Sequence, residues 1–225
     1  MIPDLISIGL LLAAYLLGSI PTGYLAGKML QGIDIRDQGS GSTGATNVLR
    51  TLGKVPAIVV LAIDLLKGVG AIALVYACYT LNSMLLPATW QPWLVAGAAL
   101  AAVLGHSKSI WLNFTGGKSV ATGLGVLLAM SWPVGLGTLG IFGIFLALSR
   151  IVSLSSIAGA IAVSVLMLLL HQPLPYQLFA LAAGLYVIWR HQSNIQRLLN
   201  GTEPQLGQKL PQDSEVSHQT PISNN

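Results

Sequence analysis

The chain has 225 residues, of which 53% are hydrophobic and only 8% charged, with a formal net charge of +4. Soluble domains carry about 25% charged residues, so an ordinary globular protein is excluded, and no basic soluble domain is left to bind nucleic acid. The apolar residues fall in blocks long enough for a helix to cross a hydrocarbon core of about 30 Å, and the alternation of a membrane β-barrel is absent.

The blocks predict an all-α, polytopic membrane helical bundle. Residues 1–4 lack the positive start of a secretory signal, so the first block, about Pro3 to Ala26, reads as an uncleaved span ending at Lys28. A polar loop then runs to Lys54. Span two, about Val55 to Tyr79, carries Asp64 and Lys67 on one helical face. Ionisable groups at membrane depth are functional by default; a pair that orders the bundle and a catalytic pair are both open here. Cys78 has no partner for a disulfide or a metal and reads as packing. The uncharged loop from Thr80 to Gln91 leads into Trp90 and Trp93, an interfacial aromatic belt, and span three covers about Trp93 to Gly105.

After a polar loop from His106 to Ser119 comes the block Val120 to Leu148. As one helix it would extend roughly 43 Å, long for one crossing and short for two. A break at Trp132-Pro133 gives two short spans and puts Lys118 and Arg150 on one face. Span six is about Leu154 to Leu170, and span seven about Tyr176 to Trp189. With seven crossings, the N-terminus outside and the C-terminus cytoplasmic, every Lys and Arg except Lys67 becomes cytoplasmic, as the positive-inside rule requires. Residues 1–199 then form one transmembrane domain, and the polar tail 200–225 is expected to be disordered.

Three polar segments fall on that one face. The first, Gly39 to Asn47 with Arg50 after it, offers unobstructed backbone N–H groups and several hydroxyls, and Thr46 or Asn47 as a helix cap would add a favourable dipole; a flexible linker is the alternative. The second is Gly116-Gly117-Lys118-Ser119. Leu112 stands where a nucleotide P-loop needs glycine, so that motif is rejected, leaving either a local phosphate cradle or a positive-inside anchor. In the third, Arg190, Asn194 and Arg197 share a face if helical, with His191 alongside.

Taken together, Ser19-Ile20-Pro21-Thr22-Gly23, Asp34-Ile35-Arg36, Gly39-Ser40-Gly41, Gly44 to Arg50, Asp64 to Gly68, Gly105-His106, Gly116-Gly117-Lys118 and Arg190-His191 with Asn194 resemble the bacterial acyl-phosphate:glycerol-3-phosphate acyltransferases of the PlsY type. The resemblance covers about residues 4 to 198. It implies an inner-membrane enzyme, active on the cytoplasmic side, that moves a fatty acyl group from acyl phosphate to glycerol 3-phosphate and gives lysophosphatidic acid for phospholipid synthesis. By motif position it implies Ser40, His191 and Asn194 as catalytic residues. Arg50, Lys118, Gly41, Thr46, Asn47, Gly116, Gly117 and Arg190 fall at phosphate-binding positions. It calls for no cofactor or metal. The implied partners are glycerol 3-phosphate, acyl phosphate, membrane lipids and the acyl-phosphate-producing enzyme. Three serines depart from the family pattern: Ser42 stands for Asn, Ser119 for Gly, and Ser109 near the usual Pro. A transporter or channel for a small organic phosphate is the alternative, weakened by the absence of an evident internal repeat.

Overall fold

The computed structural model describes residues 1–81 and 85–208. Within them the chain is helical: α1 (Ile2–Ser19), α2 (Thr22–Gln31), α3 (Ala45–Thr51), α4 (Lys54–Leu81), α5 (Gln91–Ser107), α6 (Val120–Met130), α7 (Trp132–Ser149), α8 (Val152–Leu169), α9 (Leu174–Arg190) and α10 (Gln192–Leu199). Among the described residues five segments are long and apolar enough to cross a membrane: Ile2–Gln31, Lys54–Leu81, Ala88–Ser107, Trp132–Ser149 and Val152–Leu169. Seven crossings require the shorter α6, of 11 residues, and α9, of 17, to cross as well.

The interior combines many alanines with larger side chains such as Ile72, Val95, Met167 and Phe179. Ala14, Ala71, Ala98, Ala99 and Ala102 are fully buried, whereas Leu5, Leu12, Val55, Leu66 and Leu168 point outward. Lipid tails are as apolar as leucine, so close backbone packing rather than burial of large side chains holds membrane helices together. The α4–α6 contact shows this most clearly. A Cβ on Gly68 would lie 2.1 Å from the Thr122 carbonyl, and one on Gly125 would lie 1.9 Å from that of Leu65. This contact seats the start of α6 against α4, while the loop before it bonds the end of α5 through Gly117 and Ser119.

The expected break near Pro133 is present. Helix α6 stops at Met130, Ser131 is extended at φ −155°, and α7 starts at Trp132. A second break was not expected. Span one divides at Ile20-Pro21, where proline supplies no N–H and turns the residue before it away from helix. At the break the Ile20 carbonyl accepts the Thr22 N–H at 3.0 Å and a second hydrogen bond from the Lys67 ammonium. Lys67 also lies 2.6 Å from both Thr22 Oγ1 and Asp64 Oδ1, and Thr22 donates to the same carboxylate. The intramembrane pair therefore closes the α1–α2 break.

The domain boundary expected at Asn200 lies too early. Residues 200–208 return to the bundle, the Leu206 N–H donating to the Arg150 carbonyl at 2.7 Å. Glu203 is buried there because three polar side chains receive its carboxylate. The rest of the expected tail, with Lys209, and residues 82–84 of the loop after α4 lie outside the described residues.

Candidate active site

The first polar segment folds around one side chain. Asn47 is 1% exposed. Its Nδ2 donates to the carbonyls of Ile35, Gln38 and Ser42 at 2.9–3.0 Å, and its Oδ1 accepts from the Ser40 N–H at 3.0 Å. Gly39 and Gly41 adopt positive φ so that the loop can wrap this amide. Asn47 was expected to bind phosphate, yet all its polar atoms are engaged by the loop. It does not cap α3 either, and nor does Thr46: Gly44 is the N-cap, without a side-chain bond. Asp34 anchors Arg36 at 2.6 Å, and the hydrogen bond from Arg36 holds the Asp34 carboxyl down at about 2. Arg36 reaches on to Thr115 Oγ1 at 3.1 Å, joining the first and second segments.

In the second segment Ser119 adopts φ 60°, a left-handed conformation that glycine takes freely. Its hydroxyl bonds the Val103 carbonyl at 2.7 Å and the Ser107 hydroxyl at 2.5 Å, which offsets the strain. Nearby, Ser109 Oγ donates to the Ser19 carbonyl at 2.6 Å. Two of the three serine departures thus carry tertiary hydrogen bonds, while Ser42 Oγ makes a local one to the Gly44 N–H at 3.3 Å. The Lys118 ammonium hydrogen-bonds Asn194 Oδ1. Burial, together with the charges of Arg197, Arg190 and Arg50, lowers its pKa to about 8 against the pull of Glu203.

The third segment is not one helix. Helices α9 and α10 meet at His191, so Arg190 does not share a face with Asn194 and Arg197. Arg190 Nη2 donates to the carbonyls of Gly116 and Gly117, each at 3.1 Å, instead of entering the cavity. His191 is 3% exposed, with Nδ1 lying 2.7 Å from the Val187 carbonyl. A carbonyl only accepts, so Nδ1 carries the proton and Nε2 keeps its lone pair. Burial depresses the imidazole to about 4. Asn194 Nδ2 donates to Glu203 Oε1 at 2.6 Å, Ser153 Oγ to the same oxygen at 2.7 Å, and Arg197 Nε to Oε2 at 2.7 Å. Burial alone would raise the Glu203 carboxyl, but these donors more than offset it and hold the group below its ordinary value. Glu203 thereby orients the Asn194 amide, whose oxygen receives Lys118.

All three segments converge on one cavity of about 840 Å³. Ser40, Arg50, Lys118, His191, Asn194 and Glu203 line its polar part. Its remaining wall is mostly apolar and includes Leu61, Leu124, Leu139, Phe142 and Phe179. Thr46 and Asn47 also line it, as does Asp64 of the intramembrane pair. Gly41, Gly116, Gly117, Arg190 and Lys67 do not line it. Arg150 lines the same cavity as Lys118.

This arrangement has counterparts of known kind. Residues 8–201 match the sequence profile of the family described as glycerol-3-phosphate acyltransferase. The chain is 67% identical over 213 residues to the glycerol-3-phosphate acyltransferase of Nostoc sp., covering 92% of this chain and 94% of that one. It is 60% identical over 207 residues to that of Synechocystis sp., covering 92% and 93%. The chain belongs to the glycerol-3-phosphate acyltransferase family.

Its fold agrees. The crystal structure of PlsY, an integral membrane glycerol 3-phosphate acyltransferase, in its glycerol 3-phosphate form, superposes with a TM-score of 0.80 at 35% identity, over 89% of this chain and 96% of that one. The lysophosphatidic acid form superposes with a TM-score of 0.76 at 37% identity, over 88% and 94%. The chain is therefore an integral membrane acyltransferase, and the transporter alternative falls away. Sequence reasoning missed Glu203, because an acid in a polar tail carries no periodic or spacing signal. It also gave no role to His106, buried 3.7 Å from Asp64 Oδ1 and 3.2 Å from Thr122 Oγ1.

Proposed function

We propose that the enzyme transfers a fatty acyl group from acyl phosphate to the 1-hydroxyl of sn-glycerol 3-phosphate at the cytoplasmic face of the inner membrane. The products are lysophosphatidic acid and inorganic phosphate. One observation carries this: the cations and the imidazole sit at the polar part of a cavity whose remaining wall is mostly apolar, which suits a phosphate head on a hydrocarbon chain. The solved relatives, in glycerol 3-phosphate and lysophosphatidic acid forms, support the acceptor and the product.

Both substrates bring phosphate, so Arg50 and Lys118 hold oxyanions, the guanidinium by its planar fork. Asn194 steadies the Lys118 ammonium. Ser40 and the loop N–H groups face oxygen atoms of the bound substrates. The glycerol hydroxyl attacks the acyl carbonyl, the new ester C–O bond forms, and the bond to phosphate breaks with its electron pair leaving on oxygen. Phosphate is already a good leaving group, so no covalent enzyme intermediate is needed, and positioning supplies much of the acceleration. The hydroxyl proton passes to His191 Nε2 or to substrate phosphate. The acyl chain lies along the apolar wall between α4 and α7. Because acyl phosphate is a reactive mixed anhydride, its supply requires an acyl-phosphate-producing partner enzyme.

Purified protein in detergent, given acyl phosphate and glycerol 3-phosphate, is expected to form lysophosphatidic acid. Formation of the same product at equal rate from an acyl thioester, or none from acyl phosphate, overturns the donor assignment.

A further inference from the structure

Arg190 is placed oddly for a phosphate ligand. Its Nη2 bonds two consecutive loop carbonyls, those of Gly116 and Gly117. Its Nε is buried without a hydrogen-bond partner among the described residues. A buried guanidinium N–H without a protein partner is costly, so an arginine kept for stability alone would be a poor choice here. What this side chain secures is the orientation of two peptide planes.

The chain has no cis peptide bonds among its described residues. In a planar trans peptide the N–H lies opposite the carbonyl. With the Gly116 carbonyl turned to Arg190, the Gly117 N–H must face the other way, and there it meets the His106 carbonyl at 3.2 Å. With the Gly117 carbonyl turned to Arg190, the Lys118 N–H must likewise face away from the guanidinium. That N–H has no acceptor among the described residues, and Lys118 itself lines the cavity. Gly117 itself packs against His106, since a Cβ there would lie 2.1 Å from His106 Nε2, and His106 also lines the cavity. The loop is held between an imidazole and a guanidinium.

We infer that Arg190 is a positioning residue: its grip on the Gly116 and Gly117 carbonyls fixes the loop so that Lys118 presents both its N–H and its ammonium to substrate phosphate. The identity of that phosphate rests on the proposed function; the grip itself does not. Two variants separate geometry from charge. R190K keeps the cation on a side chain one bond shorter, and R190Q removes the cation.

Hydrogen exchange of the Gly117 amide in substrate-free protein reads the clamp directly. Both variants are expected to exchange it about ten-fold faster than wild type while amides within α9 stay protected, and kcat/KM should fall on the order of 10- to 100-fold. Unchanged Gly117 exchange in both variants overturns the inference, whatever the activity. Full turnover in R190K would also overturn it, since charge alone would then suffice. Should R190Q not fold, R190K decides. If wild type fails to use acyl phosphate, the function proposal falls while the exchange result still stands.

Discussion

The Lys118 ammonium has Arg50, Arg190 and Arg197 as neighbours with Glu203 opposing them, and burial with those charges brings its pKa to about 8. A phosphate dianion in the cavity would restore the proton. The KM for glycerol 3-phosphate is therefore expected to rise as pH climbs above about 8, and calorimetry near that pH should show proton uptake on binding. K118R, charged throughout, should flatten the rise. K118A should lose at least about 100-fold in turnover, the scale seen when a preorganised donor is removed, while still inserting in the membrane. His191 behaves in the opposite pH range. Its folded pKa, near 4, lies below the ordinary 6.5. The unfolded chain therefore takes up a proton as pH falls through 6.5, before the folded one does, and stability declines from there toward 4. Melting temperatures measured between pH 7 and 4.5 should fall, and H191Q should lessen that fall.

At the scale of elements, the apolar blocks and Pro133 were legible because length and a missing N–H are local properties. The break at Pro21 has the same cause, but a continuous apolar run hides it. It is tolerated because Lys67, far along the chain, meets the Ile20 carbonyl. K67M would leave that carbonyl only the Thr22 N–H and Asp64 buried without its cation, a loss of about 3–5 kcal/mol on the scale of broken buried pairs. D64N/K67M should recover part of it, which thermal unfolding in detergent can measure. The Lys118 loop offers a finer test. S119G would relieve the positive φ at 119 but lose the bonds to Val103 and Ser107, and the two effects, each of about 1 kcal/mol, nearly cancel. S119A keeps the strain and loses the bonds, so it should melt clearly below S119G. Equal melting of the two would mean that the conformation at 119 carries no cost.

Across the whole molecule, the meeting of the segments near 40, 118 and 191 was legible because charge asymmetry put them on one face. What each side chain does there was less so. Asn47 looks like a ligand in sequence and acts as the hub of its own loop, and Arg190 looks like a ligand and grips carbonyls. Both differences arise from backbone groups that sequence spacing cannot locate. Glu203 is the extreme case, since its importance depends entirely on a chain reversal after α10. Removing it would leave Arg197 unneutralised, free the Asn194 amide to rotate and strip Lys118 of its opposing charge. Two truncations locate the functional end of the chain. Ending after Gln208 keeps Glu203 and the Leu206–Arg150 bond, the contacts that tie the returning segment to the site, and should preserve activity within about two-fold. Ending after Leu199 removes both and should cost at least about ten-fold in kcat/KM, since one lost bond to a charged group is worth about 1.5–3 kcal/mol. E203Q keeps the length while removing the charge, and it should resemble the shorter chain. Normal turnover in both the 199-residue form and E203Q would show that Lys118 and Asn194 hold their places without the returning carboxylate.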